Sequence, residues 1–435
     1  MATVALALGS AALAAPPASK AGGLDARIDQ RIDQEVEKVA PKMIELRHRI
    51  HQNPELSNRE TQTAALVAEQ LRSLGFEPRT GVAKTGVIAL LKGGKPGPLI
   101  AVRADMDALP VVEQTDFPFK STKKDTFLGQ EVGVAHACGH DIHTTVQLGV
   151  AAVLSSLKAD IPGSILFIFQ PAEEGPPPGE KAGASLMLEE GLFKEYHPQA
   201  AFALHSFPDL TVGQVGFNPG PTMAAVDQFR ITIKGKQAHG AQPNLGIDPI
   251  VTGAEAVVAL QTIRSRTLSP LEPSVITVGI FRGGERFNII PGEVNLEGTV
   301  RTYSQEARAT VQRRMREILD GVTRANGASF EMEYKENAPA TINNPALTQE
   351  VQPLMERIVG AGNVKIVEPT MGGEDFGYFA AQVPGFYYRL GVLKPGTESG
   401  GLHTPTFRGD DSAVPVGIRT MSRLLVDYLT SQKSH

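Results

Sequence analysis

The chain of 435 residues has a single cysteine, Cys138, and no tryptophan. One cysteine excludes an intrachain disulfide and leaves two readings for itself, a small buried hydrophobe or a reactive thiolate. There is no basic surplus either. The formal net charge is −5, with nothing to spare for a row of phosphates, so a nucleic-acid partner is not expected. The apolar run over residues 1–15 falls short of the roughly 20 residues that a membrane-crossing helix needs, and no membrane partner is expected. That run also lacks a preceding Lys or Arg, although Ala12-Leu13-Ala14 before Ala15-Pro16-Pro17 resembles a signal-peptidase site. Residues 1–23 therefore read as a signal or disordered segment, with a periplasmic or secreted location favoured over a cytoplasmic one. No internal repeat or coiled coil is found.

What is present is ordinary in bulk: 41% hydrophobic and 20% charged residues. The length exceeds one typical core, so two or more domains are expected. Apolar residues at helical spacing predict helices over 24–50 and 61–74, the second stopped by Gly75. Short apolar runs at 86–91, 99–104, 164–170 and 200–205 predict buried strands, with a helix over 144–157 between them. This alternation indicates an α/β domain with a largely parallel sheet. After about residue 222 the pattern changes. Residues 227–234 alternate as a half-exposed strand does, followed by a helix (249–264), strands (274–279, 292–301), a helix (306–325) and a strand (329–334). The order β-α-β-β-α-β is that of ferredoxin-like α+β domains. Helices are predicted again at 346–359 and 414–429. The expected organisation is a catalytic domain over 24–222 and 338–435, with an inserted domain over 223–337.

The densest chemical signal is HACGHDIH (136–143). Cysteine and histidine hold borderline-soft metals, and Cys138 and His140 flank a glycine that lets both aim at one point. Near a metal the thiol would lose its proton, and a thiolate can bridge two ions. The histidines could equally brace a helix. Two further features favour a metal. PAEEG (171–175) follows a buried strand, where α/β enzymes put ligands, and adjacent carboxylates there suit one ligand and one general base. His205 is expected to end its strand, and His403 lies in a Gly-rich loop. Asp375 is read as a cap of the helix that follows it.

These motifs, with HQNPELSNRE (51–60), RADMDALP (103–110), LHSFPDLTVG (204–213), GKQAHGAQPNLGIDPI (235–250), FNIIPGEVNLEGTVRT (287–302), MGGEDFGYF (371–379) and HTPTF (403–407), resemble the dinuclear-metal aminoacylase and carboxypeptidase superfamily. The similarity is strongest to hippurate hydrolases, indole-acetyl-amino-acid hydrolases and other N-acyl-amino-acid amidohydrolases. It covers nearly everything after residue 40.

The resemblance implies two divalent ions per subunit (Zn, Mn or Co), bridged by Cys138. His140 and His205 would complete one ion's protein ligands, Glu174 and His403 the other's, with Glu173 as general base. Where the wider superfamily has a histidine ligand, this chain has Asp105. Asp105 and Asp107 are expected to support the ligands from behind or to form a polar turn. His239 would stabilise the oxyanion, reaching either its own site on domain closure or that of a neighbouring subunit. Asn288 and Arg301 are candidates for gripping the substrate carboxylate, or are strand-edge and core-rim residues. The inserted domain would serve as lid and as the dimer or higher homo-oligomer contact.

The expected function is metal-dependent hydrolysis of N-acyl amino acids, with aromatic or bulky acyl groups, mycotoxin amides such as ochratoxin among them. A carboxypeptidase or dipeptidase on the same scaffold is the alternative. A metal-free thiol amidase using Cys138 would leave the PAEEG carboxylates and two histidines idle. A non-catalytic protein with a closed structural metal site would not need Glu173.

Overall fold

Eight strands form one sheet, in the order Arg79–Val82, Gly86–Lys92, Pro162–Gln170, Lys95–Asp105, Ala201–Thr211, Gly385–Leu393, Val215–Phe217 and Val364–Ile366. The computed structural model describes residues 26–432, and the signal-like reading of residues 1–23 lies outside them. Among the described residues no helix is long and apolar enough to cross a membrane. The middle of the sheet is parallel: Lys95–Asp105 runs parallel to both neighbours, and Ala201–Thr211 to Gly385–Leu393. Strands of a sheet covered on both faces read as continuous apolar runs, and Pro162–Gln170 is buried at nearly every position.

On one face lie the helices Ala26–Gln52, His140–Ser156 and Ala413–Ser431, packed with the strands into a core that includes Val102, Val150, Phe167 and Leu425. The other face is covered by the short helices Gly183–Glu189 and Gly377–Ala380, through Met187, Phe376 and Phe379. Strand Gly385–Leu393 sits near the sheet's centre although it comes late in the chain. The core of this sheet is therefore closed only when the carboxyl-terminal segment returns to it.

Four other strands make a separate antiparallel sheet, in the order Ser274–Gly283, Glu293–Thr302, Ala225–Lys234, Ser329–Ala338. The first and third strands in sequence are central, as in ferredoxin-like domains. Helices Pro249–Thr262 and Gln305–Ala325 pack on one face of this sheet. Its strand Ala225–Lys234 alternates buried and more accessible residues, and Phe229, Ile231 and Ile233 meet Leu260, Val294 and Met315 in a core of their own.

Several local expectations are corrected. Helix His140–Ser156 begins four residues before position 144, so His140 and His143 stand on its first turn. The strand predicted to end at His205 continues to Thr211, because it keeps pairing with the late strand as far as Leu393. The helix predicted to reach residue 264 ends at Thr262 and continues as a π-helical turn over Ile263–Thr267. A small hairpin, Lys124–Phe127 with Gln130–Gly133, was not expected.

Candidate metal centre

Strand Lys95–Asp105 and strand Pro162–Gln170 end side by side, Asp105 opposite Gln170. The loops leaving them carry Asp107 and the Glu173–Glu174 pair. Asp107 ties the two loops together: it accepts the backbone N–H groups of Glu173 and Glu174 at 3.1 and 3.0 Å and the Ser57 hydroxyl at 2.7 Å. Ala172 just before the pair has φ 51°, a conformation costly for a residue with a Cβ. It is fixed by an N–H bond to the buried carboxylate of Glu60 at 2.8 Å. Gly139 turns the chain between Cys138 and His140 with φ 86°. A Cβ there would meet the Ser206 side chain at 2.8 Å, so glycine is required. His403 also has positive φ, 64°, and its N–H donates to the Ala137 carbonyl at 2.8 Å. That bond ties the HTPTF loop to the HACGHDIH loop.

The result is two sets of ligand atoms with one member in common. Cys138, His140 and His205 offer atoms within 4.8 Å of one another, and so do Cys138, Glu174 and His403. His205 Nδ1 lies 2.9 Å from the Ser206 carbonyl, so Nδ1 carries the proton and Nε2 turns its lone pair toward Cys138 Sγ, 3.4 Å away. His143 is different. The Ser206 N–H donates to its Nε2 at 2.7 Å, so its proton is on Nδ1, donated to Asp105 at 2.5 Å. Both nitrogens are engaged, and His143 has no lone pair left for a metal. Asp105 and His143 therefore brace the site.

The donors fit divalent ions on the structure's own terms. His140 Nδ1 lies 3.3 Å from Asp107, whereas His140 Nε2 and Oε1 of Glu174 are buried without a hydrogen-bond partner, an arrangement that is costly unless something completes it. They face other donors: His140 Nε2 lies 3.8 Å from Glu174 Oε1, which lies 3.2 Å from His403 Nε2. Burial opposes charge on His140, yet Asp105, Asp107 and Glu174 outweigh it and raise the imidazole to about 10. A proton on His140 and a divalent cation answer the same anionic field. Burial, then Glu174, Glu173 and Asp105, push the Cys138 thiol well up. Without a cation the sulfur keeps its proton.

Glu173 stands at the edge of the two sets, grouped with Glu374 and Asp375 on one side and with His140 and Glu174 on the other. Burial, then Glu374, Glu174 and Asp375, raise its carboxyl well above the usual range. The Asp375 N–H points at Glu173 Oε1 from 3.4 Å. Asp375 does not cap the helix that follows it. Its side chain accepts from Arg103 and Gln170, both at 2.8 Å, and from the N–H of Ala184 at the start of helix Gly183–Glu189.

Arg103, fully buried, also donates to Asp105 at 2.8 Å and to Glu374 at 2.9 Å. Further out, Arg47 and His51 hold Asp141 at 3.0 and 2.9 Å, and Glu113 takes the other His51 nitrogen at 3.1 Å. Sequence reasoning gave Glu60, Arg103, Glu374, Arg47, His51 and Glu113 no role. The alternation of Arg103 and Asp105 at the end of an apolar strand was a readable sign, since it sets two charged groups on one face.

The residues proposed from the inserted domain are not part of this cluster. His239 is exposed, and its Nδ1 accepts the Ala241 N–H at 3.0 Å within its own hairpin. Asn288 is half-buried beside it, its carbonyl accepting the Gly240 N–H at 2.8 Å and its side-chain oxygen unpartnered. Arg301 has no ion pair among the described residues and reaches the MGGEDF loop: a Cβ on Gly373 would lie 3.2 Å from its Nη1. A pocket of about 230 Å³ opens beside Glu174, walled by Leu56, Ala108, Leu109, Phe127, Leu128 and Pro177.

Residues 101–427 match the family described as Peptidase family M20/M25/M40. The chain belongs to this family. It is 38% identical over 396 residues to N-acetylcysteine deacetylase of Bacillus subtilis, covering 90% of this chain and 98% of that one. It is 37% identical to thermostable carboxypeptidase 2 of Saccharolobus solfataricus, covering 89% and 95%. Its fold matches the crystal structure of the Bacillus subtilis YXEP protein, a dinuclear metal binding peptidase from the M20 family. That match has a TM-score of 0.76 and 34% identity, covering 91% of this chain and 99% of that one. This M20 chain is a metal-dependent hydrolase with an α/β catalytic core and an inserted α+β domain.

Proposed function

We propose that the enzyme hydrolyses N-acyl amino acids to a carboxylic acid and a free amino acid, and that it favours bulky or aromatic acyl groups. The observation that carries this reading is the pair of ligand sets sharing Cys138, with Glu173 beside them and an apolar pocket at Glu174. Cys138, His140 and His205 would hold one divalent ion, and Cys138, Glu174 and His403 the other. Their thiolate, imidazole and carboxylate donors suit Zn²⁺ and leave Mn²⁺ and Co²⁺ as alternatives. Ions bound there supply Lewis acidity toward the amide carbonyl and acidify water.

Glu173 takes the proton of the attacking water and returns it to the leaving amine nitrogen. His239 donates to the developing oxyanion, and Asn288 and Arg301 grip the free carboxylate of the substrate. These three act when the inserted domain swings in or when a second subunit presents them. A dimer through the inserted domain is supported by its open edge strand Ser274–Gly283 and by Val258 and Phe281, 71% and 42% exposed. Amides of phenylalanine with aromatic acids, ochratoxin among them, belong to the substrate class.

Two rival readings each have an observation behind them. A relative is a carboxypeptidase, but the lining of the pocket is mostly apolar, which suits an aryl or alkyl acyl group better than the free amine of a dipeptide. The 3.4 Å contact between Cys138 and His205 is the pairing a thiol amidase needs, but the carboxylates around the sulfur oppose a free thiolate. The test is a panel of N-acyl amino acids and dipeptides assayed with chelated protein, before and after adding Zn²⁺, Mn²⁺ or Co²⁺. Chelation should abolish turnover, metal should restore it, and N-aroyl substrates should lead. Cys138→Ser should lose both ions. Full activity of the metal-free protein would favour the thiol amidase.

A further inference from the structure

The hairpin of Lys124–Phe127 and Gln130–Gly133 pairs Phe127 with Gln130, leaving Leu128 and Gly129 as a two-residue connection. Their φ angles are 51° and 77°, the two positive values that a type I′ turn requires. Asn, Asp or Gly ordinarily takes the first position. A leucine there is strained, because its Cβ crowds the backbone. The same side chain is 65% exposed, so burial does little to offset the strain. Two local preferences are thus broken at one residue, which is where a functional reason is to be sought.

The pocket beside Glu174 offers that reason. Leu128 and Phe127 of the hairpin line it together with Leu56 and Ala108. An isolated hairpin is only marginally stable, but this one is anchored: Phe127 and Val132 pack on the cluster of Leu56, Ala108 and Val134. The tip is therefore held at the pocket wall. The nearest cation on the lining, Arg59, is ion-paired with Glu180 at 2.7 Å, so it does not invite a charged group. An apolar cavity of about 150 Å³ admits benzene, and the volume here, about 230 Å³, takes an aromatic ring with room for a substituent.

We propose that Leu128 is a specificity-determining residue, closing the apolar pocket over the acyl group and selecting aromatic over small acyl chains. The inference rests on the acyl-amino-acid reading above. The test compares N-benzoyl and N-acetyl derivatives of one amino acid, with metal-loaded enzyme. Leu128→Asn installs the residue the turn prefers, so the thermal midpoint should hold or rise. The ratio of kcat/KM for benzoyl over acetyl should fall about tenfold, as expected for one lost apolar contact surface. Leu128→Gly, which also accepts positive φ, should lower the ratio as well.

A ratio within twofold of the unmodified enzyme in both variants would overturn the assignment. So would an equal loss on both substrates, which is what a merely structural residue gives. If the unmodified enzyme cleaves neither compound, the acyl-amino-acid reading itself falls, and the pocket assignment with it.

Discussion

The two groups of polar residues offered here for the chemistry are built on opposite plans. Around Cys138 nearly every side chain has another behind it. Asp107 holds two backbone N–H groups of the PAEEG loop, the Ser206 carbonyl sets the His205 tautomer, and Arg103 joins Asp105 to Glu374 and Asp375. Around His239 there is little support. Its ring is exposed, the side-chain oxygen of Asn288 is unpartnered, and Arg301 has no ion pair among the described residues. A site that must hold cations with several mutually repelling carboxylates needs its supports built in before anything binds. Groups that act on substrate from another domain need only be accessible until contact is made. On the proposed mechanism, the first plan is complete within one folded core and the second acts on closure or assembly.

The sharpest way to break this contrast lies inside the supported group. Glu173 and Glu174 are neighbours in sequence, yet only Glu174 belongs to a set with Cys138. Glu173→Gln should keep its metal and lose turnover by about 10²–10⁴-fold, the range for a lost general base. Glu174→Ala should lose metal. Metal analysis of the two purified variants separates the roles, and the opposite pattern would mean that they are exchanged.

A weaker but more discriminating test addresses the unsupported group. Loss of one oxyanion donor costs about 10²–10³-fold, so His239→Ala should fall in that range with metal content unchanged. We propose that the exposed ring, hydrogen-bonded only within its own hairpin, acts across a subunit interface. Mixing His239→Ala subunits with Glu173→Ala subunits should then recover activity in hybrid dimers. No recovery, with mixing verified, would assign His239 to its own chain. A full-rate His239→Ala enzyme would remove it from the mechanism.

The same contrast explains what could be read from sequence. The ligand candidates lie in compact motifs, PAEEG directly after an apolar strand, and the change of hydrophobic period after residue 222 anticipates a second sheet with a core of its own. Supports are harder to read, because their partners are remote. Arg103 meets Glu374 across 271 positions, and Arg47 meets Asp141 across 94. The extension of the His205 strand to Thr211 depends on pairing with a strand nearly two hundred residues later. The hairpin at Leu128 was missed because leucine is not a turn signal, and that same mismatch now marks the residue. Asp375 was read by its local place before a helix, whereas three distant donors decide its role.

The smallest expected effect asks whether the two plans are also energetically separate. Helix Pro249–Thr262 of the inserted domain begins at Asp248, whose carboxylate accepts the N–H groups of Ile250 and Val251 at 2.8 and 3.2 Å. Removing such a cap costs about 1 kcal/mol, which in a unit of this size lowers a melting midpoint by about 4 °C. The inserted domain has its own core, formed by Phe229, Ile231, Leu260 and Met315 among others, with no member in the cores that back the metal centre. Asp248→Ala should therefore lower the transition that reports the inserted domain and leave the metal affinity of the catalytic core unchanged. Calorimetry alongside a metal titration checks both halves. A loss of metal affinity in step with the melting shift would mean that the inserted domain helps to hold the ligand loops in place. His239 would then belong to the same supported structure as Cys138.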